Sequence, residues 1–227
     1  MSKQIYDLSQ RQAALIAGFG LLFMFISGYF GTSPNYESIL EDVFDTQAKL
    51  RSNIIGDIMM LVFDVVAALG LYAYLKPVNK SISLLAAWFR LMHVAIYGAV
   101  IFTLVLVLDL VNGIESLSAI ETEQLNDQML ILLKGHEYGF RIGLVFFGFH
   151  FLLLGYLIFE SAFTPRIIGA LLVIAAFGYL ANSFASILMN DYEKHKTLIQ
   201  GASFIPAIIA ELSFCLWLIA KGGKGTT

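Results

Sequence analysis

The chain has 227 residues, of which 58% are hydrophobic and 14% are charged, and its formal net charge is −3. A soluble domain is about 25% charged and about 45–50% apolar, so this composition excludes an ordinary soluble fold and favours a lipid bilayer as the surrounding medium. The mild acidity leaves no basic surface for nucleic acid. The single cysteine, Cys215, excludes an internal disulfide framework.

Six apolar segments are each long enough to cross a membrane, because a helix of ~20 apolar residues spans ~30 Å of hydrocarbon. Only helices and closed barrels satisfy their backbone groups in lipid, and these runs are too uniformly apolar for barrel strands. The sequence therefore predicts an all-α integral membrane bundle of six transmembrane helices, with residues 1–227 as one polytopic domain. The predicted spans are about 13–30, 52–75, 82–111, 138–162, 166–189 and 202–220.

The first segment resembles a secretory signal peptide in position but not in detail. Its apolar stretch is long for such a peptide, and the following GYFGTSP lacks an A-x-A-like cleavage site. We therefore expect it to be retained as the first span.

The connections between spans differ at the two ends of the predicted bundle. The turns at LKPVNKS and SAFTPR are short, whereas residues 34–51 and 114–134 mix acidic and apolar residues in a spacing that predicts short amphipathic helices. Ordinary solvated loops are the alternative for both segments.

The distribution of Lys and Arg predicts the orientation of the bundle. With the N-terminus inside, seven Lys and Arg residues lie on the cytoplasmic side and five on the other, which favours an N-in/C-in orientation.

Ionisable side chains occur inside four of the spans. Such groups cost several kcal/mol in lipid unless they face the bundle interior and find partners, and they are functional candidates by default. A rise of ~1.5 Å per residue places them all near the middle of the bilayer. We therefore expect them to converge on one internal site, with Tyr97 on the same helix face as two of them. These candidates for pocket or binding residues are Asp64, Arg90, His93, Tyr97, His150 and Glu211.

A second set of polar residues lies nearer the predicted outer surface. Asp57 shares a helix stripe with the deeper Asp64, Glu137 and Arg141 form an i,i+4 pair, and Asn182 lies in the outer part of the fifth span. Together these residues predict a polar access route from the outside to the midplane.

Three interpretations of the midplane residues stay open. They form a pocket that binds or passes a small solute, ion or proton, or they hold the bundle together by polar contacts alone. In the third, His93, His150, Asp64 and Glu211 bind zinc or iron for intramembrane hydrolysis, or the two histidines bracket a haem.

Enzymatic activity is not favoured, and no residue is assigned a catalytic role. The chain has no H-E-x-x-H, P-loop, GxSxG or GxGxxG before a strand. Lipid is the expected partner, and a small molecule or ion and a homodimer stay open.

Several separated stretches carry a family resemblance. They are LYAYLKPVNKSISLLAAWFRL, FRIGLVFFGFHFLLLGYLIFES, TPRIIGALLVIAAFGYLANSF and AELSFCLWLIAKG. Over residues 13–222 the chain resembles a bacterial multi-pass membrane family catalogued only as a domain of unknown function. The resemblance implies about six helices in the bacterial cytoplasmic (inner) membrane, and it implies no activity.

Overall fold

The computed structural model describes residues 8–30, 43–113 and 122–224, and these residues form six α-helices and no strand. Each helix contains a stretch that is long and apolar enough to cross a membrane. The predicted all-α bundle of six membrane-spanning helices is therefore confirmed. The helices are α1 (Gln10–Phe30), α2 (Val43–Leu75), α3 (Lys80–Gly113), α4 (Thr122–Glu160), α5 (Arg166–Leu188) and α6 (Tyr192–Ala220).

Three helices begin nine or more residues before their predicted spans. The helices α2, α4 and α6 begin at residues 43, 122 and 192 rather than at 52, 138 and 202. Residues 43–51 and 122–134 thus continue spanning helices, because Lys, Arg, Gln and Leu favour the helix whether or not lipid surrounds them. The rest of the two predicted amphipathic segments, residues 34–42 and 114–121, lies outside the described residues.

The helices form a closed ring. Each packs against its neighbour in the chain, and α6 packs against α1. We call the end at which α2, α4 and α6 begin the long-loop end. The opposite end, with connections at residues 76–79 and 161–165, is the short-turn end.

The outer faces of the bundle are apolar, and its interior combines two apolar core clusters with buried polar side chains. Phe102 and Leu216 are 63% and 62% exposed on the outer faces, whereas Asp64 and Arg90 are 1% and 0% exposed. This distribution suits a lipid environment, where polar side chains face the bundle interior and apolar ones face the acyl chains.

Small residues let α1 and α2 approach closely. A Cβ atom on Gly20 would lie 2.9 Å from the backbone nitrogen of Ala67, and one on Gly70 would overlap the backbone nitrogen of Ala17. Close backbone approach through small residues is a common basis of helix association in membranes, so this contact helps to hold α1 in the ring.

Arg11 joins the first and last helices at the short-turn end. Its Nη1 donates to the carbonyl oxygens of Leu218 (3.0 Å) and Gly222 (2.8 Å), and its Nη2 donates to that of Ile219 (2.7 Å). These carbonyls lie at the C-terminal end of α6, where carbonyl groups commonly need donors from outside the helix and a positive charge is favoured.

We expect Arg11→Gln to lower the free energy of unfolding by about 1–2 kcal/mol, because a shorter, neutral side chain cannot make these three bonds. Thermal unfolding of the purified protein in detergent would measure the loss. Arg166→Gln is the matched control, since Arg166 is exposed at the same end. Equal effects of the two substitutions would contradict the assignment.

Candidate functional site

The buried side chains of Asp64, Arg90, His150 and Glu211 meet inside the ring, and we call these four residues the central cluster. Arg90 Nε donates to Asp64 Oδ1 at 3.0 Å, and Arg90 Nη2 also bonds this oxygen. The same Nη2 lies 3.6 Å from Glu211 Oε1. Arg90 Nη1 lies 3.1 Å from His150 Nε2. Helices α2, α3, α4 and α6 each supply one member.

The partners of His150 define its tautomer. Its Nδ1 lies 2.8 Å from the carbonyl oxygen of Ala86, and a carbonyl can only accept, so Nδ1 carries the proton. Its Nε2 then accepts from Arg90, which has no acceptor atom. Both ring nitrogens are therefore engaged within the bundle.

Two apolar residues complete the surroundings of the guanidinium. Arg90 Cζ lies 4.9 Å from the ring centroid of Phe147, and Arg90 Nη2 lies 3.2 Å from Met24 Sδ. The role of Met24 has no signal in the sequence, because a methionine in an apolar helix is indistinguishable from lipid-facing neighbours. His93 also packs on Phe147, with ring centroids 4.8 Å apart, and therefore borders the cluster.

The charges of the central cluster do not balance. Two carboxylates face one guanidinium, while the tautomer of His150 is neutral, which leaves a formal charge of −1. All four side chains are nearly inaccessible, Glu211 being the most exposed at 5%. An uncompensated buried charge is costly, so one further positive charge would stabilise this arrangement.

Tyr97 and Asp57 form a separate pair on the long-loop side of the central cluster. The Tyr97 side chain interacts with the Asp57 carboxylate, and Asp57 Oδ2 has no hydrogen-bond partner within the described part of the protein. The ring of Tyr97 lies 5.6 Å from that of His136 and 6.0 Å from that of His93. Tyr97 thus lies between His93 and the residues at the long-loop end.

The remaining predicted residues meet at the long-loop end. Glu137 Oε1 bonds Arg141 and lies 2.5 Å from Lys196 Nζ. Arg141 Cζ lies 4.4 Å from the ring centroid of Tyr192, whose hydroxyl donates to Asn182 Oδ1 at 2.8 Å. We call these five residues the long-loop cluster. Sequence reasoning missed Lys196 and Tyr192, because they belong to the polar start of α6, which lay outside the predicted span.

The metal and haem hypotheses do not fit the described residues. Among them no three His, Cys, Asp or Glu side chains are arranged to hold a metal ion. Both nitrogens of His150 are already engaged, as shown above. His93 and His150 pack against one ring, that of Phe147, with centroids at 4.8 and 5.5 Å, and so do not bracket a haem.

Four cavities among the described residues lie away from the central cluster. One of about 230 Å³ lies at the long-loop end and includes Glu137 and Lys196 in its lining. The others are lined mainly by apolar residues of α2, α3 and α4. The central cluster borders none of these four cavities.

Comparison with known proteins agrees with the resemblance described above. An uncharacterized protein of Archaeoglobus fulgidus is 29% identical over 172 residues, which cover 76% of this chain and 85% of that protein. No solved structure matches the chain. A family model described as a domain of unknown function, DUF4386, matches residues 16–222. The chain therefore belongs to the DUF4386 family, and its six apolar helices are those of a multi-pass membrane protein.

Proposed function

We propose that this membrane protein binds a proton at the central cluster and exchanges it with the long-loop end. The charge balance carries the proposal, because two buried carboxylates and one guanidinium reach neutrality when one proton joins them. A metal cation would need several free oxygen ligands, whereas Asp64 is already bonded to Arg90.

The geometry favours Glu211 over Asp64 as the proton carrier. Asp64 accepts from both Nε and Nη2 of Arg90 and is therefore its counter-ion. Glu211 Oε1 lies 3.6 Å from Arg90 and makes no hydrogen bond within the described part of the protein. A neutral carboxylic acid suits this position, since its hydroxyl needs only a neighbouring acceptor or water.

Buried polar atoms without partners support a route toward the long-loop end. Three such atoms among the described residues are Asp57 Oδ2, His136 Nε2 and Arg141 Nε. Buried polar atoms that have no hydrogen-bond partner in the protein commonly bind ordered water. With the N-in/C-in orientation, this route would open to the outside of a bacterial inner membrane. The same route would also serve a small solute, which is the broader class of ligand for such a pathway.

Infrared spectroscopy of the protein in lipid nanodiscs tests the proposal. We expect a carbonyl band of a buried protonated carboxylic acid that is absent from Glu211→Gln and retained in Glu160→Gln. Glu160 is the matched control, because it is exposed at the short-turn end. An unchanged band in Glu211→Gln would overturn the assignment.

The second candidate function of the central cluster is purely structural. It is favoured because Arg90 already contacts Asp64, His150 and Met24. The two functions differ in the stability of Glu211→Gln. If Glu211 is ionised as a second counter-ion, its neutralisation removes the excess negative charge of the cluster and raises the unfolding temperature. If Glu211 carries a proton, glutamine imitates the neutral acid and the unfolding temperature changes little.

A further inference from the structure

The long-loop cluster has the opposite charge balance from the central cluster. The single carboxylate of Glu137 is shared by Arg141 and Lys196, which leaves a formal charge of +1. Arg141 is 3% exposed. Glu193 lies 3.6 Å from Lys196, but its side chain is 72% exposed, so solvent weakens its effect on the buried charges.

Two buried hydrogen-bond donors of this site have no partner among the described residues. They are Arg141 Nε and Asn182 Nδ2, on side chains that are 3% and 0% exposed. The other atom of the Asn182 amide, Oδ1, already accepts from Tyr192. Unsatisfied buried donors together with an excess positive charge indicate that an acceptor with negative charge belongs here.

A cavity adjoins the long-loop cluster, because Glu137 and Lys196 belong both to this cluster and to the cavity lining, whereas Arg141 and Asn182 lie behind them and are not part of the lining. The cavity, of about 230 Å³, also has apolar walls, which suit a hydrocarbon part of a ligand. Lys134 is exposed at the cavity, as Glu193 is, and it has no ion-pair partner within 4 Å among the described residues. The lining consists of Leu130, Leu133, Lys134, Glu137, Tyr138, Glu193 and Lys196.

We propose that this cavity binds one anionic group, a carboxylate or a phosphate, carried by an amphiphile. The anionic group pairs with Lys134 and Lys196, while the apolar part lies on Leu130 and Leu133. Lysine acts as a point charge toward either anion, so a lipid head group and a free fatty acid share the required chemistry. The proposal goes beyond the proton-binding function and does not depend on it.

Calorimetric titration with octanoate tests the proposal, using the full-length protein in nanodiscs of neutral phosphatidylcholine. We expect saturable binding that Lys134→Gln weakens about tenfold, the order expected for one charge-assisted contact. Lys80→Gln is the matched control, because Lys80 is exposed at the short-turn end. Lys196→Gln is the second variant. It should weaken binding further, because it removes one lysine from the anion and also takes one positive partner from the Glu137 carboxylate.

A second titration in nanodiscs that contain anionic phosphatidylglycerol distinguishes the two sources of the anion. Loss of octanoate binding there supports the proposal with a lipid head group as the occupant, and undiminished binding supports it with a free anion. Absence of saturable binding in neutral nanodiscs would overturn the proposal, because the cavity would then not hold an anion at Lys134 and Lys196. Equal affinities of Lys134→Gln and Lys80→Gln would overturn it as well.

Discussion

Replacement of Arg90 by methionine is expected to lower the free energy of unfolding by about 3–5 kcal/mol, the cost typical of breaking a buried ion pair by removal of one partner. The substitution leaves Asp64 without its counter-ion and His150 Nε2 without its donor, while methionine retains much of the side-chain volume. Reversible unfolding in mixed micelles, followed by circular dichroism, measures the change. No other single substitution removes so many contacts of the central cluster.

A double-substitution cycle shows whether the loss comes from the ion pair. Asp64→Asn in the Arg90→Met background removes the uncompensated carboxylate, so we expect the double variant to be more stable than Arg90→Met alone. The matched control is Asp109→Asn, because Asp109 is exposed on α3 and should give no such recovery. Additive losses in the Arg90–Asp64 double variant would contradict direct coupling between the two side chains.

Gly70→Val is expected to destabilise the protein by about 2–3 kcal/mol, the usual cost of overpacking a filled interior. A Cβ atom at this position meets the backbone nitrogen of Ala17 and would lie 2.7 Å from its Cα. Backbone atoms cannot rotate away as a side chain can, so α1 would have to move relative to α2. The same unfolding measurement gives the magnitude.

Gly135→Val is the control for this substitution. A Cβ atom on Gly135 has no neighbour within 4 Å among the described residues, and Gly135 is exposed on α4. Valine there should change stability by less than about 1 kcal/mol, since only helix propensity is altered. Similar losses at Gly70 and Gly135 would show that the close contact between α1 and α2 does not matter for stability.

The number and order of the spanning helices could be predicted from the sequence, whereas their starting points could not. A long apolar run has one stable solution in lipid, the helix, because every backbone group must be bonded within the segment. The helices α2 and α4 nevertheless continue for several residues beyond the apolar runs. Hydropathy indicates which residues contact lipid, but it does not indicate where the helical backbone begins.

The candidate residues were predictable to the extent that depth and helix face determine position. Asp64, Arg90, His150 and Glu211 come from four helices and meet in the structure, although their part in proton binding stays a prediction. Tyr97 was expected at the same site but lies between His93 and His136, with ring centroids at 6.0 and 5.6 Å. The partner of a side chain in the bundle interior depends on the direction and length of that side chain. Residue spacing along the helix describes neither property.

The sequence by itself determined that this chain is a bundle of six membrane-spanning helices and that its buried charges face inward, because lipid tolerates neither unpaired backbone groups nor exposed charge. Only the tertiary structure decided that Asp64 rather than Glu211 is the hydrogen-bonded counter-ion of Arg90. It also decided that the long-loop cluster carries an excess of positive charge. Both outcomes depend on which helices are neighbours in the ring, and apolar periodicity orients each helix toward the interior without specifying its neighbours.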